Sequence, residues 1–415
     1  MRVIYLTWGE TPRSFGVFGN QVINQFVQTC HFLKIHEAFF VSAVPIVHSG
    51  FIRENFHYFD ELSRVKRLLN RIKFIWIPIY TSQNFVNSNK NTFNLMHNFS
   101  HLHLLKIIKK ISPDIVHCRS YHAAWAAIKV RERYGLKYKI IFDGRDMWPE
   151  EVALKLGFDE TSKHYLFLKS VEKFIIERSD YSVTVSKKMH EYYLGLGALH
   201  DRCIYLSADV KKLFKQKSSK ALNERKHINF CYLGALSDAT WHKTTELANL
   251  YAKLTLLFPG SRLTIITTSN QNLIHSIFSK LNLTGYSIRV TKSFEELREI
   301  LSHQDFGLMS YFIPENELQR KLGDILLSIK AVEYFSAGLP MICNNYCGEI
   351  SQIINEFNLG ISYDPERINS ISSDDLLPYL NVEARDRCHS FALDNFDSRV
   401  ISGEYANLYC EAVGV

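Results

Sequence analysis

Along this chain, short runs of β-branched and aromatic residues alternate with longer stretches in which apolar positions recur at helical spacing. Runs of the first kind fit strands buried on both faces, and stretches of the second kind fit helices laid over them. In the first half, strands are predicted at 2–6, 39–45, 74–78, 114–118, 138–143, 181–185 and 203–206. The second half offers 228–233, 262–267, 287–291, 305–310, 341–344 and 360–363. This alternation predicts an α/β protein with parallel sheets covered by helices on both faces, each half doubly wound. After Pro378 the pattern turns helical to the end, where Asp397 or Ser398 can cap a last helix carrying Ile401, Tyr405, Leu408 and Tyr409.

At 415 residues the chain exceeds what one core usually serves, so two domains of about 200 residues each are expected. Residues 211–226, rich in Lys and Ser and poor in large apolar side chains, read as the linker. The expected organisation is an N-terminal domain over 1–210, a C-terminal domain over 227–390 and a terminal segment over 391–415. No internal repeat is visible. With 46% hydrophobic and 22% charged residues, the composition excludes a disordered chain.

The N-terminus lacks the basic, apolar, small-residue pattern of a signal peptide. The apolar stretch 38–47 is shorter than the about 20 residues that a membrane span needs. A cytoplasmic location is therefore expected. The net charge of +7 is unevenly placed, with Arg64, Lys66, Arg67, Arg71 and Lys73 close together and Lys106, Lys109 and Lys110 further on. Val65, Leu68, Leu69 and Ile72 interleave with the first group as in an interfacial helix, which points to the anionic cytoplasmic face of a membrane or to nucleic acid. A solvated helix face is the alternative. Cysteines are scattered, and no metal site is predicted.

The segment Ser328-Ile-Lys330-Ala-Val-Glu333-Tyr-Phe-Ser-Ala-Gly338-Leu-Pro340 carries the strongest chemical signal. Ser328 can cap a helix whose amides and positive dipole end face an anion, and Lys330 adds a full charge in the first turn. Glu333 lies one turn on, on the same face, where it suits hydroxyl donors such as those of a ribose. An amphipathic helix with an ordinary exposed Lys and Glu is the alternative.

Lys330-x-x-Glu-Tyr-Phe-x-Ala-Gly-Leu-Pro-Met-Ile342 resembles the donor-site segment of GT-B glycosyltransferases, particularly glycosyltransferase family four. Asp305-Phe-Gly-Leu-Met-Ser-Tyr311 is similar to the family's strand leading into the donor pocket, and Gly348-Glu349 and Gly360 follow. One departure stands out. The family's Glu-x7-Glu pattern would need a carboxylate at Ile325. The resemblance implies two Rossmann-like domains facing each other across a cleft, with the C-terminal helix crossing back to the N-terminal domain.

Loops after the strands are where an open α/β sheet binds ligands. The first such loop contains Gly16 and Gly19, without the spacing of a dinucleotide fingerprint, and resembles the glycine-bearing first loop of GT-B transferases. Asp143-Gly-Arg145-Asp146-Met-Trp-Pro-Glu150 resembles an Asp-x-Arg-Asp-x-Trp-Pro-Glu segment of bacterial polysaccharide transferases. Arg145 can neutralise a phosphate or orient an acceptor, and Asp146 can accept from a sugar hydroxyl; an Arg–Asp ion pair holding a loop is the alternative. His122 is a further candidate acceptor contact. After the first strand of the second half, Gly234 and Lys243 are candidate donor contacts, Ala235 standing near where the family commonly has Arg. No Asp-x-Asp pair occurs, against the metal-dependent GT-A transferases.

The expected function is metal-independent transfer of a sugar, with retention of anomeric configuration, from a nucleoside diphosphate sugar to a glycan or lipid-linked glycan in surface polysaccharide synthesis. Arg145, Asp146 and Lys330 are the catalytic candidates. Gly16, Gly19, Gly234, Lys243, Ser328, Lys330 and Glu333 are assigned to the donor, and His122, Asp143 and Arg145 to the acceptor. No cofactor besides the donor and no nucleic-acid partner is expected, and the site of action is the cytoplasm or the cytoplasmic face of the inner membrane. A GT-B nucleotide-sugar epimerase and a non-catalytic membrane or nucleic-acid adaptor are the rival readings.

Overall fold

Strands pair where the apolar runs predict, except that the one expected at 203–206 forms at Asp201–Cys203, and every pairing between them is parallel. The structure, a computed structural model, describes residues 1–414 apart from 11, 15–17, 34, 36, 46–50, 80–99, 217–226, 237–240, 292 and 326. It divides into two compact units, one of Met1–Tyr205 with Ser398–Val415 and one of Leu206–Asp397.

The first unit holds a sheet in the order β3-β2-β1-β4-β5-β6-β7. Its strands are β1 (Arg2–Trp8), β2 (Glu37–Pro45), β3 (Lys73–Ile79), β4 (Ile115–Arg119), β5 (Lys139–Asp143), β6 (Tyr181–Thr184) and β7 (Asp201–Cys203). The second sheet runs β10-β9-β8-β11-β12-β13. It is built from β8 (Asn229–Leu233), β9 (Arg262–Ile266), β10 (Tyr286–Arg289), β11 (Phe306–Leu308), β12 (Met341–Asn344) and β13 (Gly360–Tyr363). Each order reverses once, between β1 and β4 and between β8 and β11. At such a switch point the flanking loops diverge and leave a crevice at the strands' carboxyl ends.

The last helix, Ser398–Val413, is part of the first unit's core: Ile401, Tyr405, Leu408, Tyr409 and Ala412 pack with Val3, Tyr5, Phe26 and Phe40. The second core gathers Phe230, Tyr232, Leu263, Ile265, Phe306 and Leu308 from the strands with Leu247, Tyr251 and Phe278 from two helices.

Of the expected linker, 217–226 lies outside the described residues, and 210–213 forms a short helix in the second unit. The interfacial reading of the basic segment needs correction. Val65 and Leu69 of the helix Phe51–Leu69 are buried in the first unit's own core, and Ile72 packs against it. Only Leu68 of that set is exposed, beside the exposed cations Arg64, Lys66, Arg67, Arg71 and Lys73. No helix among the described residues is long and apolar enough to cross a membrane.

Candidate active site

In the second unit the helix Ile329–Ser336 is fastened to the switch point by one side chain of the motif. The Tyr334 hydroxyl accepts from the Leu233 amide at 2.7 Å, at the end of β8, and donates to the Leu308 carbonyl at 3.2 Å, at the end of β11. Gly307 is what lets the ring lie flat on β11, since a Cβ there would stand 2.5 Å from Tyr334 Cγ. The helix ends at Gly338, whose φ of +70° suits a residue without a Cβ, and the Leu339 amide closes the end by bonding to the Tyr334 carbonyl at 2.9 Å. Arg385 adds a bond to the Ala337 carbonyl at 3.2 Å.

Ala331, Val332, Tyr334 and Phe335 face the core, which leaves Lys330 and Glu333 on the open side. Lys330 reaches back over the end of β8. A Cβ built on Gly234 would stand 2.0 Å from Lys330 Cε, and Gly234 adopts φ +118°, so both the lysine's path and the backbone there require glycine. Burial pushes the Lys330 ammonium down to about 8, with Glu333 pulling the other way. Burial pushes the Glu333 carboxyl up to about 7, opposed by Lys330. A desolvated cation and carboxylate thus stand one helical turn apart on the same face.

Ser328 holds the N-cap position with extended backbone, but its side chain accepts no bond from the helix. This corrects the expected cap: the Ser328 carbonyl takes the Ala331 amide at 3.1 Å, so the first turn is closed by backbone alone. Lys243 is the N-cap residue of the helix Thr244–Leu257, and its amide donates to the Ser310 carbonyl at 2.9 Å, which sets it beside the end of β11. Its neighbour His242 was not singled out by the sequence. It is buried against Tyr311 with ring centroids 4.7 Å apart, and burial, with the Lys330 charge, keeps it neutral. Ile325 is buried at the end of the helix Glu317–Ile325, so no carboxylate stands at that position.

In the first unit, Gly16 lies outside the described residues. Gly19 opens a π-helical turn, Gly19–Asn24, and a Cβ on it would stand 2.5 Å from the Ser14 carbonyl oxygen, so it serves a close backbone approach. Asp143 and Arg145 are not open to an acceptor, which corrects their expected presentation. Asp143 is fully buried and Arg145 Nε donates to its Oδ1 at 2.8 Å. Arg145 Nη2 also donates to Gln25 at 3.1 Å and to the Tyr405 hydroxyl at 3.0 Å. The cause lies far along the chain, in the last helix that covers the end of β5. Burial opposes the charge of Asp143, but the Arg145 guanidinium and a bond from His117 hold its carboxyl well below the usual range. His117 closes the network, with Nε2 3.3 Å from Asp143 Oδ2 and Nδ1 2.6 Å from the Tyr409 hydroxyl; a neutral ring donating from Nε2 and accepting at Nδ1 satisfies both.

His122 is likewise buried, its ring centroid 5.0 Å from that of Trp148, and burial pushes it down to about 3. It packs under Trp148 and is not presented to an acceptor. Asp146 differs from its neighbours: Oδ1 is buried and has no hydrogen-bond partner among the described residues.

Residues 44–207 match the family model described as Glycosyltransferase Family 4. The whole chain superposes on sucrose-phosphate synthase from Thermosynechococcus elongatus with a TM-score of 0.70 at 14% identity, covering 100% of both chains. Anabaena HepE, solved in complex with UDP and glucose, matches with a TM-score of 0.65 at 11% identity, over 99% of this chain and 100% of that one. The lipopolysaccharide outer core galactosyltransferase WaaB gives 0.63 at 17% identity, over 99% of each chain. No curated protein matches in sequence. Two doubly wound parallel sheets in one chain, with these full-length superpositions, define the GT-B fold. Within that fold class, residues 44–207 carry the likeness to Glycosyltransferase Family 4, which supports glycosyl transfer in general terms.

Proposed function

We propose that the protein transfers a sugar from a nucleoside diphosphate sugar to a glycan or lipid-linked glycan, with retention of anomeric configuration, in surface polysaccharide synthesis. The observation that carries this reading is the placement of Lys330 across Gly234, beside Glu333, at the crevice between β8 and β11. The HepE complex with UDP and glucose supports a nucleotide-sugar donor, and the WaaB likeness supports a glycan acceptor.

In this reading Lys330, with Lys243 and the helix start at Ser328, neutralises the diphosphate, whose negative charge grows as the bond to the sugar breaks. Glu333 accepts from ribose hydroxyls. Gly234 admits the lysine stem, and Gly16 and Gly19 belong to the donor side as well. The donor phosphate itself takes the acceptor's proton, so the protein's task is electrostatic and needs neither metal nor further cofactor. Asp146 contacts the acceptor, while Asp143 and Arg145 position the loop that bears it. The protein works in the cytoplasm, with the basic residues Arg64, Lys66, Arg67, Arg71 and Lys73 holding it to the anionic inner face of the membrane by charge.

Incubation with a panel of UDP-, GDP- and dTDP-sugars, followed by chromatography of the released nucleotide, tests this reading. Release should occur with one donor class and vanish in Lys330→Ala. Equal release by that variant would overturn the assignment.

A further inference from the structure

Two buried polar groups with unmet capacity lie in the first unit, at its own switch point. Arg119 ends β4 and is paired in register with Asp143 of β5, so Asp146 emerges three residues later at the same edge. The Tyr121 hydroxyl donates to the Asp146 carbonyl oxygen at 3.1 Å and fixes the two loops to each other. From the loop after β1, Glu10 approaches Arg119, Oε2 to Nε, at 3.4 Å.

Three observations there are independent of one another. Arg119 is more than nine-tenths buried, yet its Nη1 has no hydrogen-bond partner among the described residues. Asp146 is partly exposed, but its Oδ1 atom is buried and has no hydrogen-bond partner among the described residues. Ser120, which joins Arg119 to its helix, holds φ +69°, a strained backbone for a residue with a Cβ. Unsatisfied buried donors and acceptors and backbone strain are costly, and they persist where a ligand repays them.

The charges indicate which ligand. Glu10 already matches Arg119, and Arg145 already matches Asp143. Asp146 feels one cation, Arg119, against the carboxylates of Glu10, Glu172 and Asp143, so an added anion would meet a net negative field. A neutral sugar would not: one hydroxyl oxygen can accept from Arg119 Nη1 while a neighbouring hydroxyl donates to Asp146 Oδ1. Burial pushes Asp146 up to about 6, with the Arg119 charge opposing, which agrees with the two groups sharing one field.

We infer that Arg119 and Asp146, with Glu10 orienting the guanidinium, form a subsite for a neutral, hydroxyl-bearing sugar residue, the end of the acceptor. This rests on the transferase reading above and adds the acceptor's chemical class. A uronic acid or phosphorylated sugar is disfavoured there.

Ligand-observed NMR titration of the full chain with p-nitrophenyl β-D-glucoside, β-D-galactoside and β-D-glucuronide tests it, with UDP and GDP titrated into the same samples. A neutral glycoside should bind the wild type, the glucuronide at least about tenfold more weakly. Arg119→Met and Asp146→Asn should each weaken the neutral glycoside about tenfold or more, while Arg119→Lys, which keeps the charge but loses the fork, keeps the fold and binds in between. Nucleotide affinity should be unchanged in all three. Unaltered glycoside binding by Arg119→Met, a glucuronide that binds as well as the glucoside, or no neutral glycoside bound by the wild type would each overturn the subsite. Failure of the wild type to bind any nucleotide would instead sink the transferase reading.

Discussion

Lys330 occupies the volume that a side chain on Gly234 would take: the two residues stand almost a hundred positions apart in sequence, yet a Cβ on the glycine would come within 2.0 Å of Lys330 Cε. The cation's position is therefore set by an absence of atoms at the end of β8. Gly234→Ala should displace the lysine and strain a backbone at φ +118°. We expect about 1–3 kcal/mol of lost stability and at least about tenfold weaker nucleoside diphosphate binding, read by thermal denaturation and calorimetry. Wild-type affinity in this variant would show that Lys330 does not meet the diphosphate.

The same pair of charges fixes a pH dependence. Burial pushes Lys330 down to about 8, so a nucleoside diphosphate should bind the free protein more weakly as pH rises above that value. The stability sign is opposite to that of a paired surface lysine. Its depressed pKa means that the unfolded chain holds the proton more tightly, so burying the ammonium costs stability fully below about pH 8, and the cost fades as pH rises toward the ordinary lysine value. Lys330→Met should accordingly raise the melting temperature at pH 7 and have little effect above pH 10.5. Melting curves across that range decide it.

Asp143 and Arg145 make a different prediction, because their network joins β4, β5 and the helix Gln25–Phe32 to the last helix. Arg145→Met leaves a buried carboxylate uncompensated and should cost about 3–5 kcal/mol, with nucleotide affinity retained in whatever remains folded. Asp143 has a depressed pKa, so its contribution is present above the ordinary carboxylate pKa and is lost only as acid falls well below it. An Arg145→Met protein of normal stability but without activity would assign the arginine to chemistry instead.

The strands and the Lys330–Glu333 helix were legible in sequence because each is a local pattern: apolar runs bounded by turns, and a motif closed by Gly338 and Pro340. β7 forms at Asp201–Cys203 and not at 203–206 because Asp201 is tied by the hydroxyl of Thr184 at 2.9 Å and by His190 at 2.6 Å, polar ties that an apolar pattern misses. The roles of Asp143 and Arg145 were not legible, since the groups that bury them, Tyr405 and Tyr409, arrive from the far end of the chain. Arg119, too, gives no local signal; its unmet donor exists only once β4 and β5 are in register. Of the interleaved apolar residues of the basic segment, Val65 and Leu69 share a buried helix face, Leu68 is exposed and Ile72 lies past the helix end, and periodicity does not say whether such a face meets a membrane or the protein's own core.

With Val65 and Leu69 buried, membrane attachment through that segment would be electrostatic. Binding to vesicles with anionic lipid should fall steeply with salt and drop further in Arg64→Glu/Arg67→Glu. Salt-independent binding would point to an inserted apolar group, and no binding would remove the membrane contact.

Isothermal calorimetry of UDP, GDP and ADP against the wild type, Lys330→Ala and Glu333→Ala bears most directly on the site between β8 and β11. At least one nucleotide should bind the wild type, and both variants should lose about tenfold or more in affinity without a fall in melting temperature. Undiminished binding by Lys330→Ala, or no binding of any nucleoside diphosphate by the wild type, would contradict it.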